Sequence, residues 1–90
     1  MITLRLNAEN AATRGELHTI FAETFSFPEW YGRNLDALHD CLTEFSEDAE
    51  ISMEEDSLLA CLGDRYTEQL QRLLDDVAEE NPHIRLVEIE

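Results

Sequence analysis

Lysine is absent from this 90-residue chain, and six arginines stand against twenty-one Asp and Glu, a formal charge of -15. A surface that negative is repelled by phosphate backbones and anionic headgroups, which argues against direct nucleic-acid or membrane-surface binding and makes a basic protein the natural partner. Cysteine is scarce too. Cys41 and Cys61 lack CxxC spacing and a His-rich neighbourhood, so neither a disulfide framework nor a zinc site is expected, only reduced, buried thiols. Three glycines and two prolines leave no Gly-rich turn after the first strand, so a phosphate-cradling loop has no support. Apolar runs reach a handful of residues, far short of the roughly twenty of a membrane span. Met1 leads into a strand-like alternation rather than a signal peptide, and a cytoplasmic protein is expected. No repeat, linker or low-complexity tract interrupts residues 1–90, which read as one domain. The 43% apolar content falls in periodic blocks, so the charge lies on a folded surface.

Ile2, Leu4 and Leu6 alternate with Thr3 and Arg5, the period of a strand over Met1 to Leu6. Asn7 to Ala12 reads as a loop. Thr13-Arg14-Gly15-Glu16 has the form of a capping box and opens a helix whose Leu17, Ile20, Phe21 and Phe25 recur at helical spacing until Pro28 stops it. Asn34 is a good N-cap for a second helix from Leu35 to about Phe45. Glu50 to Met53 is a short strand candidate. Asp56 or Ser57 is placed to cap a third helix over Leu58, Leu59 and Leu62, ended by Gly63 in a left-handed conformation. A fourth helix starts between Asp64 and Thr67, carries Tyr66, Leu70, Leu73, Leu74 and Val77 on one stripe, and closes at Asn81-Pro82. Ile84 to Ile89 is a final strand. The order β-α-α-β-α-α-β, with helices long enough to cross over, predicts an α/β fold: a small three-stranded parallel sheet packed with about four helices.

Between the first two helices, Ser26 to Arg33 concentrates Phe27, Trp30 and Tyr31 with Pro28 and Gly32. Aromatics exposed on such a loop signal binding, although Trp30 and Tyr31 folded back over the core edge fit the composition equally. On the second helix, His39, Asp40 and Thr43 fall within about 60° of Asp36, while Leu35, Leu38, Cys41, Leu42 and Phe45 fall about 140–260° away. The apolar face packs on the sheet. Asp36, His39, Asp40 and Thr43 are thereby forced outward as one polar stripe directly after the aromatic loop.

The string Phe27-Pro28-Glu29-Trp30-Tyr31-Gly32-Arg33-Asn34-Leu35-Asp36-Ala37-Leu38-His39-Asp40-Cys41-Leu42-Thr43 resembles the signature of the barstar family of ribonuclease inhibitors. The resemblance covers the whole chain in length and element order, and outside residues 27 to 45 it rests on pattern. It implies a three-stranded parallel sheet covered by helices and no catalysis. It also implies a cytoplasmic one-to-one inhibitor, monomeric when free, that plugs the active site of a basic barnase-type ribonuclease with a helix and the loop before it. Residue by residue, it implies that Asp40 occupies the nuclease's phosphate site, with Asp36 as a second charged contact. Trp30 and Tyr31 match the two loop aromatics, Gly32 the tight approach, and Asn34 and Thr43 peripheral polar contacts. Asp76 on the fourth helix aligns with an acidic interface residue. His39 stands where barstar has a Trp and Trp30 where it has a Tyr, departures that bear on partner preference. Phe45 matches another Trp but points toward the core on the wheel.

The same residues bear on other function classes. An immunity protein for a basic nuclease toxin would use the same surface. A nucleic-acid mimic would present rows of carboxylates to a DNA-binding protein, but the aromatics favour a nuclease pocket over a long groove. Asp36, His39 and Asp40 share a face at i, i+3 and i+4, as a hydrolytic or metal-binding group would. They project from a convex helix without a cleft or oxyanion element, so no enzyme, cofactor or metal is expected.

Overall fold

A computed structural model describes residues 1–87. Strands β1 (Ile2–Leu6), β2 (Ala49–Met53) and β3 (Ile84–Leu86) form one sheet in the order β1-β2-β3, parallel throughout. Helices α1 (Arg14–Phe25) and α2 (Leu35–Thr43) cross from β1 to β2, and α3 (Glu55–Leu62) and α4 (Asp64–Glu80) cross from β2 to β3. This is the α/β architecture expected from the sequence.

Register explains how the layers form. Ile2, Ala49 and Ile84 are aligned across the strands, as are Leu4, Ile51 and Leu86, and then Leu6 and Met53. These rows make one apolar face. The intervening rows, Thr3-Glu50-Arg85 and Arg5-Ser52, lie on the other, where Thr3, Arg5 and Arg85 are exposed. Two right-handed crossovers stepping the same way across a sheet put their helices on the same side. Four helices therefore cover one face and leave the other to water. The core between the layers includes Leu17, Phe21, Leu38, Leu42, Leu58, Leu70 and Leu74, all fully buried, each side chain worth roughly 1.5–3 kcal/mol of transfer free energy.

Element ends differ from the sequence reading in instructive ways. The second helix ends at Thr43 rather than Phe45, and β2 begins one residue early, at Ala49. The third helix begins at Glu55, ahead of both proposed caps; Ser57 instead donates to the Glu54 carboxylate at 3.0 Å. Gly63 has φ 86° and ψ 160°, outside the left-handed helical region and in one that essentially only glycine enters, so a single residue separates α3 from α4. The last strand stops at Leu86; Glu88 and Ile89 of the expected strand lie outside the described residues. Cys41 is half-buried and Cys61 exposed, both as free thiols. The expectation of two buried cysteines holds for neither in full, because Cys61 falls on the outer side of α3, away from Leu58 and Leu62.

Candidate functional site

Asn34 starts α2 as its sequence suggests: with extended backbone, its side-chain oxygen accepts the Ala37 N–H at 2.8 Å. The same carboxamide donates to the Gly32 carbonyl at 3.3 Å. A Cβ on Gly32 would lie 3.2 Å from the Asn34 side chain and 3.3 Å from the Ala37 Cβ, so a larger residue there would press on the cap. Leu38 and Leu42 fix the rotation of the helix by full burial. Asp36 and Asp40 then face solvent, with the Asp40 side chain 84% exposed, while His39 and Thr43 are half-buried at the edge of the stripe. The Thr43 hydroxyl is committed to its own helix, donating toward the carbonyls of His39 at 2.9 Å and Asp40 at 3.0 Å.

The loop aromatics part company. Trp30 is 85% exposed and Tyr31 only 7%. Both sequence outcomes are therefore realised, one by each residue, and the reading of Tyr31 as an exposed contact is corrected. Its ring packs 4.9 Å from Phe27, which joins an aromatic cluster centred on Phe25 and reaching Phe21 and Phe45. Phe45 lies on the core side, where the wheel placed it.

The Tyr31 hydroxyl meets Nδ1 of His18 at 2.6 Å, and Nε2 of the same ring meets the Tyr66 hydroxyl at 2.9 Å. His18 is 3% exposed. This relay ties the aromatic loop to α1 and α4. A neutral imidazole has one donor and one acceptor, so it suits two hydroxyls that act in opposite senses. Burial lowers the His18 pKa below its ordinary value, and the nearby Arg33 charge lowers it further; burial likewise raises both tyrosines. As pH falls below about 6.5, the unfolded chain protonates His18 before the folded chain does, so the contribution is complete above that value and declines below it. Urea titrations between pH 7.5 and 5 should show stability falling with acid, with a shallower fall in His18→Gln; parallel curves would remove His18 from the account.

Arg33 is a second residue that sequence reasoning missed. It sits at φ 55°, unfavourable for a side chain with a Cβ, and its guanidinium donates to the Gly15 carbonyl and the Thr19 hydroxyl, both at 2.7 Å. Asn81 is a third. Buried at the end of α4, its amide donates to the carbonyls of Leu42 and Phe45 at 2.8 Å each, supplying partners at the C-terminal end of α2.

Between α2 and α4 lies an open groove of about 540 Å³ lined by residues that include Asp36, His39, Arg72 and Asp76. Asp76 is exposed and lines this groove together with Asp36. His39 leans toward α4, its Nε2 3.4 Å from the Glu80 carboxylate and its Nδ1 3.8 Å from that of Asp40. Among the described residues, no group of three or more His, Cys, Asp or Glu is placed to hold a metal ion. The site is a convex acidic helix, an exposed tryptophan beside it and, behind it, a polar groove with Asp36 and Asp76 on its walls.

A family model described as Barstar (barnase inhibitor) matches residues 1–87. The protein named Putative ribonuclease inhibitor YrdF, from Bacillus subtilis (strain 168), is 59% identical over 27 residues. That stretch spans 30% of this chain and 30% of the relative.

Proposed function

The chain belongs to the barstar family, and from that premise we propose that it is an intracellular inhibitor that binds a basic microbial ribonuclease one to one and closes its active site. The observation that supports this reading most is the stance of Asp40. Its side chain is 84% exposed on the convex face of α2, and among the described residues its carboxylate accepts no hydrogen bond from its own chain. An Arg-rich phosphate site would grip such a group through paired charge-assisted bonds. A carboxylate offers the nuclease negative charge but no scissile bond.

The surrounding residues divide the remaining work. Asp36, in the first turn of α2, and Asp76 across the groove add charge at the margin. Trp30 supplies the apolar lid over a catalytic imidazole, excluding water from the contact. Asn34 and Gly32 hold the entry to α2 in shape, and Thr43 completes the last turn. Most other acids set a long-range field that draws a basic partner in and fades with salt. In this reading the protein is cytoplasmic, monomeric until it meets the nuclease, and not an enzyme. Titrating a barnase-type ribonuclease with the chain should abolish RNA cleavage linearly, with an end point at one equivalent. A complex that leaves cleavage intact would contradict the reading.

A further inference from the structure

In a chain with six arginines and twenty-one acids, Arg14 and Arg33 line one pocket of about 230 Å³ together with Gly15, His18, Asn34, Leu35 and Tyr66. No carboxylate lines it. The groove beside α2 contains Asp36 and Asp76 beside Arg72, and two further pockets contain Glu54, Glu55 and Asp56, or Glu47 and Asp48. Among the described residues Arg5 alone of the six arginines is ion-paired, reaching Glu54 at 3.7 Å, so neither Arg14 nor Arg33 has its charge answered by a carboxylate. Both are held in place. The Arg14 guanidinium lies 4.3 Å from the centre of the Tyr66 ring, and Arg33 is pinned to α1 through one nitrogen, leaving its other donors available.

This basic pocket adjoins the groove that holds Asp36 and Asp76. Asn34 and Leu35 line both, so a protein seated on the aromatic loop and α2 must also face the two arginines. A uniformly basic partner would be repelled there. We propose that Arg14 and Arg33 form a carboxylate-accepting subsite that selects, among basic ribonucleases, those carrying an Asp or Glu side chain next to the phosphate site. The inference rests on the inhibitor reading and adds a repulsive element against nucleases that lack the acid.

The test turns on a sign. Arg14→Glu makes the inhibitor more negative, and if Arg14 were only background charge this would speed association with a basic enzyme and tighten binding. Glutamate at the first residue of α1 also suits the helix dipole, so folding is expected to survive, and Arg14→Gln provides a milder variant. The probe is a panel of barnase-type basic ribonucleases, with rate constants measured for wild type, both Arg14 variants and Asp40→Ala. For the enzymes that wild type inhibits, Arg14→Glu is expected to weaken binding by roughly fivefold or more, mainly through faster dissociation, and Arg14→Gln by less. Tighter or unchanged binding of Arg14→Glu, with Asp40→Ala still strongly weakened, would overturn the subsite and leave the inhibitor reading standing. If wild type inhibits no member of the panel, or Asp40→Ala changes nothing, the reading and the subsite fall together.

Discussion

Replacing Asp40 with alanine is expected to weaken inhibition of the target ribonuclease by roughly thirty- to several-thousand-fold, or about 2–5 kcal/mol. That range comes from charge pairs at interfaces that include barnase–barstar itself, so it is borrowed from a relative. The size reflects what truncation leaves behind. Inside a closed complex the nuclease's arginines would lose their anion while remaining shielded from water, and an unpaired buried charge is costly. The same change at Glu47, Glu50 or Glu54 removes one element of the general field and should cost a few-fold at most, chiefly in association rate. Inhibition constants for the four alanine variants decide the matter. Equal losses at all four would leave only a diffuse charge mechanism.

The largest effect on folding is expected at Phe25. Its ring is buried and packs against Phe21 at 6.0 Å, Phe27 at 5.9 Å and Phe45 at 4.8 Å. Phe25→Ala should cost about 3–5 kcal/mol through lost burial and the cavity that remains, lowering the melting midpoint by roughly 12 °C or more. A functional cost should accompany it. Phe27 and Phe45 flank the aromatic loop and the end of α2, so loosening their common neighbour shifts the entropy of ordering that surface onto the binding step. Phe25→Leu, which keeps most of the volume, should lose less on both counts. A midpoint within about 3 °C of wild type would show that the cluster does not support the site.

These two residues mark what could be read from the chain and what could not. Phe25 announces itself by helical spacing from Leu17 and Phe21, and Asp40 by its place on a wheel whose other side is Leu38 and Leu42. Both patterns are local, and a periodicity carries them intact into the fold. The parallel sheet followed from element order for the same reason. The relay through His18 is different in kind, since it joins residues 13 and 48 positions away, beyond the reach of any local periodicity. Asn81 reaches 39 and 36 positions back to the end of α2, where asparagine before proline read simply as a stop. Tyr31 and Trp30 are neighbours with opposite fates, because one hydroxyl finds a buried partner in His18 and the indole does not. Arg33 adopts a left-handed conformation that its residue type disfavours, held by two long-range hydrogen bonds that no spacing rule reveals.

If the Asp40 carboxylate occupies the nuclease's phosphate pocket, inhibitor and nucleotide compete for one site. The affinity of the chain for its ribonuclease should be measured with and without a saturating mononucleotide bound in the active site. Mutually exclusive binding, with the apparent dissociation constant rising in proportion to nucleotide, is the predicted result. A ternary complex of unchanged affinity would contradict it.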